Sequence, residues 1–377
     1  MTLLLQNIRI VDLTRVLAGP LCSMILGDLG ADVIKVERPQ GGDESRGWGP
    51  PFDDEGKSAY YLSVNRNKLA IALDLGDPAD QAVLMGLIAD ADVVLDNFLA
   101  GALERRGIDA GELLEAHQRL IWCTISGFGP NSDRPGYDFV VQAESGWMSI
   151  TGDPNGAPTK VGVALADVVA GKDAAIAVLG ALVARERVAA PLAAAARRLH
   201  VSLARSAIAA LVNVAQNTLV SGRDAERYGN AHPNLVPYEL FRAADRPIVV
   251  AVGNDAQWLS ACRALALDSL ASDPDLATNA GRIAQRARVA AAYAARMAER
   301  PADFWLGVLR VAGVPCGVVQ TVREALQSVG ATARLGIDPS VPGAIRLPPP
   351  RLDEHGAVIR RHGWNAFRHA AAERSGE

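Results

Sequence analysis

The stretch Ile8-Arg-Ile-Val-Asp-Leu13, followed by Pro20-Leu-Cys-Ser-Met-Ile-Leu-Gly-Asp-Leu29 and Ala31-Asp-Val-Ile-Lys-Val-Glu37, decides the fold. The first and third segments are rich in β-branched residues, whereas the second is a helix-like run of unbranched apolar residues. Gly19-Pro20 marks the turn between them, and proline suits a first helical turn because its missing N–H would have no partner there. Strand, helix and strand in this order make a βαβ unit, whose two strands must run parallel.

Outward from this unit the alternation continues. Strands are expected at 69–73, 92–95 and 120–125, with helices near 80–89 and 110–117 between them. The pattern predicts an α/β protein with a Rossmann-like large domain built on a doubly wound parallel sheet. The Ala/Val/Leu-rich segment Val168 to Glu186 reads as a helix packed across that sheet. Asp167 stands at its start, where a carboxylate suits an N-cap.

After the Ala-rich stretch 188–196, one long helix is expected from Ser202 to Val220. A Gly/Pro/Asn-rich loop from Arg227 to Tyr238, a strand at 248–252 ending in Gly253-Asn-Asp255, and helical patterns over 258–299 then suggest a smaller α/β domain. Leu347-Pro-Pro-Pro350 carries too much proline for a domain core and is expected to lie along another surface. The expected organisation is a large domain over 1–220, a small domain over 221–325, and a C-terminal return to the large domain over 326–377.

With 377 residues, 49% hydrophobic and 21% charged, and a formal net charge of -4, the chain has the balance of an ordinary soluble protein; nothing in it favours nucleic acid or an anionic membrane. No cleavable leader is evident, and the apolar run 165–188 carries too many charges to span a membrane, so a cytoplasmic protein is expected. Cys22, Cys123, Cys262 and Cys316 contain no C-x-x-C pair and the six histidines lack ligand spacing, so no metal site is expected and the histidines read as surface or structural. There is no G-x-G-x-x-G after the first strand, no P-loop and no G-x-S-x-G elbow.

Several ordered blocks carry a resemblance across nearly the whole chain: Asp12-Leu-Thr-Arg-Val-Leu-Ala-Gly-Pro20, Gly30-Ala-Asp-Val-Ile-Lys-Val-Glu-Arg38, Asn65-Arg-Asn-Lys68, Asp96-Asn-Phe98, Gly127-Phe-Gly-Pro130, Tyr137-Asp138 and Tyr228-Gly-Asn-Ala-His-Pro233. With these the chain resembles the family III CoA-transferases, the carnitine-dehydratase-like or formyl-CoA transferase family. The look is that of members handling short dicarboxylates. The resemblance implies an interlocked homodimer, coenzyme A thioester as substrate, and no permanently bound cofactor. It implies that Asp167, in Val161-Gly-Val-Ala-Leu-Ala-Asp167, is the nucleophile, a carboxylate ionised at neutral pH that needs no general base.

For the coenzyme the resemblance implies a groove formed by Arg15, Val16, Leu17, Arg38, Leu73, Asn97, Phe98, Ala102 and Arg105, with Tyr137 reaching toward the reaction centre. Apart from the resemblance, Arg38 and Arg105 read by default as solvated surface charges, and Tyr137 reads equally as a core tyrosine with a satisfied hydroxyl. Oxyanion stabilisation is expected from the helix start beside Asp167 and the loop at Gly253. The alternative is a 2-methylacyl-CoA racemase on the same fold, but its histidine is absent where this chain has Tyr137-Asp138. The chain also departs from its relatives at 189–196 and at Leu203-Ala-Arg-Ser206.

Overall fold

The computed structural model describes residues 3–369. The chain folds into two compact units, one formed by 1–147, 160–221 and 329–377, the other by 148–159 and 222–328.

The first unit holds a six-stranded sheet of β1 (Arg9–Asp12), β2 (Asp32–Glu37), β3 (Lys68–Ala72), β4 (Val93–Asp96), β5 (Ile121–Ser126) and β6 (Arg198–Ser202). Its order is β3-β2-β1-β4-β5-β6 and every neighbouring pair is parallel, as the opening βαβ reading requires. Chain order reverses between β1 and β4, which opens a crevice at the carboxyl ends of those strands.

Alternation along the strands supplies a core on each face. Ile10, Val33, Val93, Leu95 and Cys123 pack against Ala166, Ala170, Ala174 and Val178 of the long helix Leu165–Arg187. Val11, Ile34, Leu69, Val94 and Trp122 pack the other way, against Leu84, Leu114, Ile359 and Trp364. The long helix crosses the helix Ala18–Asp28 closely because residue 171 is glycine: a Cβ there would lie 2.5 Å from the carbonyl oxygen of Ala18.

The block Asn65-Arg-Asn-Lys68 ties this unit together. Arg66 forms two bonds to the carboxylate of Asp28. Asn67 donates to Asp28 and to the Ala344 carbonyl, while its oxygen accepts the N–H groups of Arg346 and Leu347. The proline-rich segment is thereby fixed, with Leu347 buried. Beyond it, Asp353 and His355 take the backbone N–H groups of Ala72 and Ala70, so the edge strand β3 does not present a free ladder there.

Two local expectations are corrected. The helix over 202–220 is two helices, Leu203–Ala209 and Val212–Ser221, the second opening on Val212 at φ 40°. Leu203, Ser206 and Ala207 are buried, and Ser206 donates to Asp173 of the long helix; the second helix buries no residue within the chain, so packing holds only the first in line. Asp167 is not an N-cap. The cap position is Ala164, Asp167 lies in the first turn, and Asp138 accepts the Ala166 N–H from outside the helix.

The second unit has the antiparallel sheet β7 (Tyr238–Arg242), β8 (Pro247–Ala251) and β9 (Cys316–Val318). Its core joins Phe241, Ile248 and Val250 to Trp258, Tyr293 and Trp305. The helical pattern over 258–299 resolves into several short helices, capped by Asn254, Asp273 and Thr278.

Candidate active site

Two clefts lie at the crevice, both within the first unit. The larger, ≈ 380 Å³, is lined by the turn after β1 (Arg15, Val16, Leu17), the turn after β4 (Asn97, Phe98), the loop after β5, and Asp167. The smaller, ≈ 230 Å³, is lined by Arg38, Leu73 and Arg106 among others. Arg15 and Phe98 belong to both and form the divide, the guanidinium lying 5.4 Å from the ring centroid.

The turn after β1 is held from beneath by charge. Asp12 accepts from Thr14, Ser23 and Lys68, all buried. Lys35 donates to the Thr14 carbonyl at 2.8 Å and pairs with Asp43 at 3.1 Å, and Asp43 accepts the N–H of Val16. Val16 consequently sits at φ 73°, in a left-handed region that a β-branched residue reaches only when its surroundings impose it. Asn97 completes the support by accepting the Arg15 N–H and donating to the Arg15 carbonyl, which staples the ends of β1 and β4. These ion pairs are satisfied on both sides, as burial at this depth demands. Within them the two amines diverge: competing burial and Asp12 leave Lys68 lowered to about 8, while Asp43, Asp12 and Glu37 hold Lys35 above its ordinary value against the cost of burial.

The carboxyl of Asp167 is half-buried. Burial, and then the charge of Asp138, push its pKa up to about 7. The expectation of a carboxylate ionised at neutral pH is therefore amended: burial and Asp138 bring its ionisation up toward neutrality. Asp138 is itself fixed by Gln142, which donates to it and accepts the Val161 N–H. Tyr60 shares this neighbourhood, since burial and the charges of Asp167 and Asp138 raise its hydroxyl to about 12; its ring stands edge-on to Trp48 at 4.9 Å.

Of the residues named from the sequence, Arg15, Val16, Leu17, Asn97, Phe98, Tyr137 and Asp167 meet in the larger cleft, and Arg38 and Leu73 join Arg15 and Phe98 in the smaller. Tyr137 is exposed at the cleft wall rather than packed in the core. Ala102 and Arg105 line neither cleft, although Gly101 and Leu103 beside them do. Of the N–H groups expected to serve an oxyanion, Ala166 is taken by Asp138 and Gly253 by the side chain of Gln257. Sequence reasoning missed Tyr60, which neighbours Asp167, and the cleft-lining Arg106, Arg134, Arg198 and His200. The last two stand on β6, and His200 contacts the Ser126 hydroxyl at 3.1 Å. Their only sequence signal is a strand pattern short enough to be lost between helices.

Among the described residues no three His, Cys, Asp or Glu side chains gather as a metal would need, and no helix is long and apolar enough to cross a membrane. Cys22, Cys123 and Cys262 are buried free thiols, and Cys316 is half-buried.

A doubly wound sheet with a cleft at its switch point, a carboxylate at a helix start and arginines along the rim make up an α/β fold whose crevice suits an anionic ligand. The chain belongs to CoA-transferase family III, whose model matches residues 5–355. It is 38% identical to the succinate–glutarate CoA-transferase of Agrobacterium fabrum, over 94% of each chain. It is 39% identical to the succinyl-CoA:glutarate CoA-transferase of Homo sapiens, over 85% of this chain and 72% of that one. Against the acetyl-CoA:oxalate CoA-transferase of Acetobacter aceti identity is 36%, over 94% and 95%. The crystal structure of a CAIB/BAIF family protein from Brucella suis superposes with a TM-score of 0.81 at 36% identity, covering 94% of this chain and 98% of that one.

Proposed function

We propose that this enzyme moves coenzyme A from an acyl-CoA thioester to a free short dicarboxylic acid, with Asp167 as nucleophile. The observation that carries the reading is the placement of Asp167 in one cleft with Arg15, Asn97 and Phe98. The substrates for which its relatives are named, among them succinate, glutarate and oxalate, support the dicarboxylate class.

In this reading an ionised oxygen of Asp167 attacks the thioester carbonyl carbon, the C–S bond breaks, and the thiolate leaves with the electron pair. The mixed anhydride so formed is attacked at the aspartyl carbonyl by that thiolate, which releases the donor acid as its carboxylate and leaves an aspartyl-CoA thioester. The acceptor carboxylate reverses the two steps and regenerates Asp167. No proton is consumed and no nucleotide is needed, because one thioester replaces another. Poor solvation raises the basicity of Asp167, which makes the ionised fraction a better nucleophile. Phe98 offers a flat apolar face to the pantetheine arm, and Arg15 and Arg38 offer forks to phosphate. Asp138 serves as the external cap of the long helix. A racemase role for Asp138 would have to break its bonds to Ala166 and Gln142.

The same reading takes the working molecule as a homodimer, its chains interlocked through linkers near Val220 and Val322. The support is apolar surface that one chain leaves bare: Ile176 and Val183 one heptad apart on the long helix, and Leu219 and Val220 at 77% and 78% exposure.

The test is incubation with succinyl-CoA and a panel of mono- and dicarboxylic acids, with new CoA thioesters followed by mass spectrometry beside Asp167→Ala. Thioesters that depend on Asp167 are expected. Exchange of the α-proton of a 2-methylacyl-CoA without any transfer would sink the reading in favour of the racemase.

A further inference from the structure

Two arginines at the crevice converge on one carboxylate oxygen. Arg15 Nη1 lies 2.5 Å from Glu44 Oε1, and Arg38 Nη2 lies 3.8 Å from the same atom. Neither partner is fully used. Within the described residues, the buried atoms Glu44 Oε2 and Arg15 Nε have no hydrogen-bond partner. A guanidinium offers five N–H donors, and the fork of Arg15, held beside the Phe98 ring, is left largely open.

The location of Glu44 is fixed rather than incidental. It follows Asp43, whose carboxylate holds the Val16 N–H, the Lys35 ammonium and the Ser45 N–H. The buried network that shapes the turn thus also sets this carboxylate against the two arginines. The pairs themselves are partly solvated, at 38% and 54% exposure for the arginine side chains and 32% for Glu44, so each is weak and exchangeable. A phosphate group, with more charge and more acceptor oxygens, is the better partner for the same two forks.

We propose that Glu44 is a resident counter-ion that occupies the phosphate-binding arginines while the cleft is empty and competes with the phosphates of the coenzyme for them. The inference rests on the reading of these clefts as the coenzyme site. Its consequence is that Glu44 holds coenzyme affinity down and hastens release of the acyl-CoA product, since affinity changes within one complex fall mostly on the dissociation rate.

The experiment is calorimetric titration of free CoA, and separately of pantetheine, into the wild-type protein and Glu44→Gln, at low and at moderate salt. Glu44→Gln keeps the shape and removes the charge. CoA is expected to bind the variant about three- to tenfold more tightly at low salt, with the advantage shrinking as salt screens the charges. Pantetheine, which carries no phosphate, is expected to bind both proteins alike. A thermal melt confirms folding, and Glu44→Ser is a second variant with the same expected sign. Equal or weaker CoA binding by folded variants overturns the inference while leaving the transferase reading intact. So does an equal gain for pantetheine. Failure of the wild-type protein to bind CoA removes both.

Discussion

Asp138 accepts the backbone N–H of Ala166 at 2.8 Å, one residue before Asp167, so the group that closes the helix start is also a charge that raises the neighbouring carboxyl. The pairing gives one fixed anion a structural duty and an electrostatic one. In the proposed mechanism it makes the attacking, ionised form of Asp167 dependent on pH near neutrality.

The first prediction is a pH profile. Activity at low acyl-CoA concentration should rise with pH through about 7 and then level, because only the ionised carboxylate attacks. Asp138→Asn should move that rise to lower pH by removing the like charge, although burial, the larger cause, will keep it above the ordinary carboxylate range. A profile flat between pH 6 and 8 would contradict the assignment.

Stability should run the other way. The folded pKa of Asp167, about 7, exceeds its unfolded value near 3.8, so the cost of burying its charge is absent below pH 4, grows as pH rises from there to about 7, and is complete above it. Asp167→Asn removes the proposed nucleophile and should lower transferase activity by at least about a thousandfold. It should also gain roughly 2 to 4 kcal/mol of stability at pH 8, with little gain at pH 4.5. Denaturant melts at the two pH values separate these outcomes.

Asn67→Ala should destabilise the protein by about 2 to 4 kcal/mol, since it leaves Asp28, the Ala344 carbonyl and the Arg346 and Leu347 N–H groups short of a partner. Limited proteolysis should cut the variant first between 335 and 350. Equal resistance of variant and wild type would show that the bonds of Arg66 to the Leu335 and Ile337 carbonyls and of Arg346 to the Ala31 carbonyl secure the segment without Asn67.

Gly171→Leu should be more damaging than its place in a helix suggests. Helix propensity favours leucine by nearly 1 kcal/mol, but the side chain must enter the space of the Ala18 carbonyl, and overpacking of this kind costs about 1 to 3 kcal/mol or more. A lowered melting midpoint is expected, together with weaker CoA binding, because Ala18 directly follows the turn of Arg15, Val16 and Leu17.

The proposed dimer is tested by substituting the bare apolar face of the long helix. Ile176→Asp with Val183→Asp should shift the mass measured by light scattering toward that of one chain and reduce activity. An unchanged mass would place the contact elsewhere.

The sequence by itself determined the sheet. Alternation of β-branched strands with helical periodicity from Ile8 onward dictates parallel pairing, and β1 to β5 lie where that pattern puts them. It also brought Arg15, Val16, Asn97, Phe98 and Asp167 into view through their blocks. Only the tertiary structure decided the rest. Val16 adopts a left-handed conformation because Asp43, far along the chain, takes its N–H. The helix over 202–220 breaks because just its first half has a face to bury. The acidity of Asp167 is set by burial and by Asp138, and Arg198 and His200 reach the cleft only because β6 pairs with β5. Periodicity and local preference report what a segment can form, whereas strain, charge coupling and convergence depend on neighbours that the fold alone supplies.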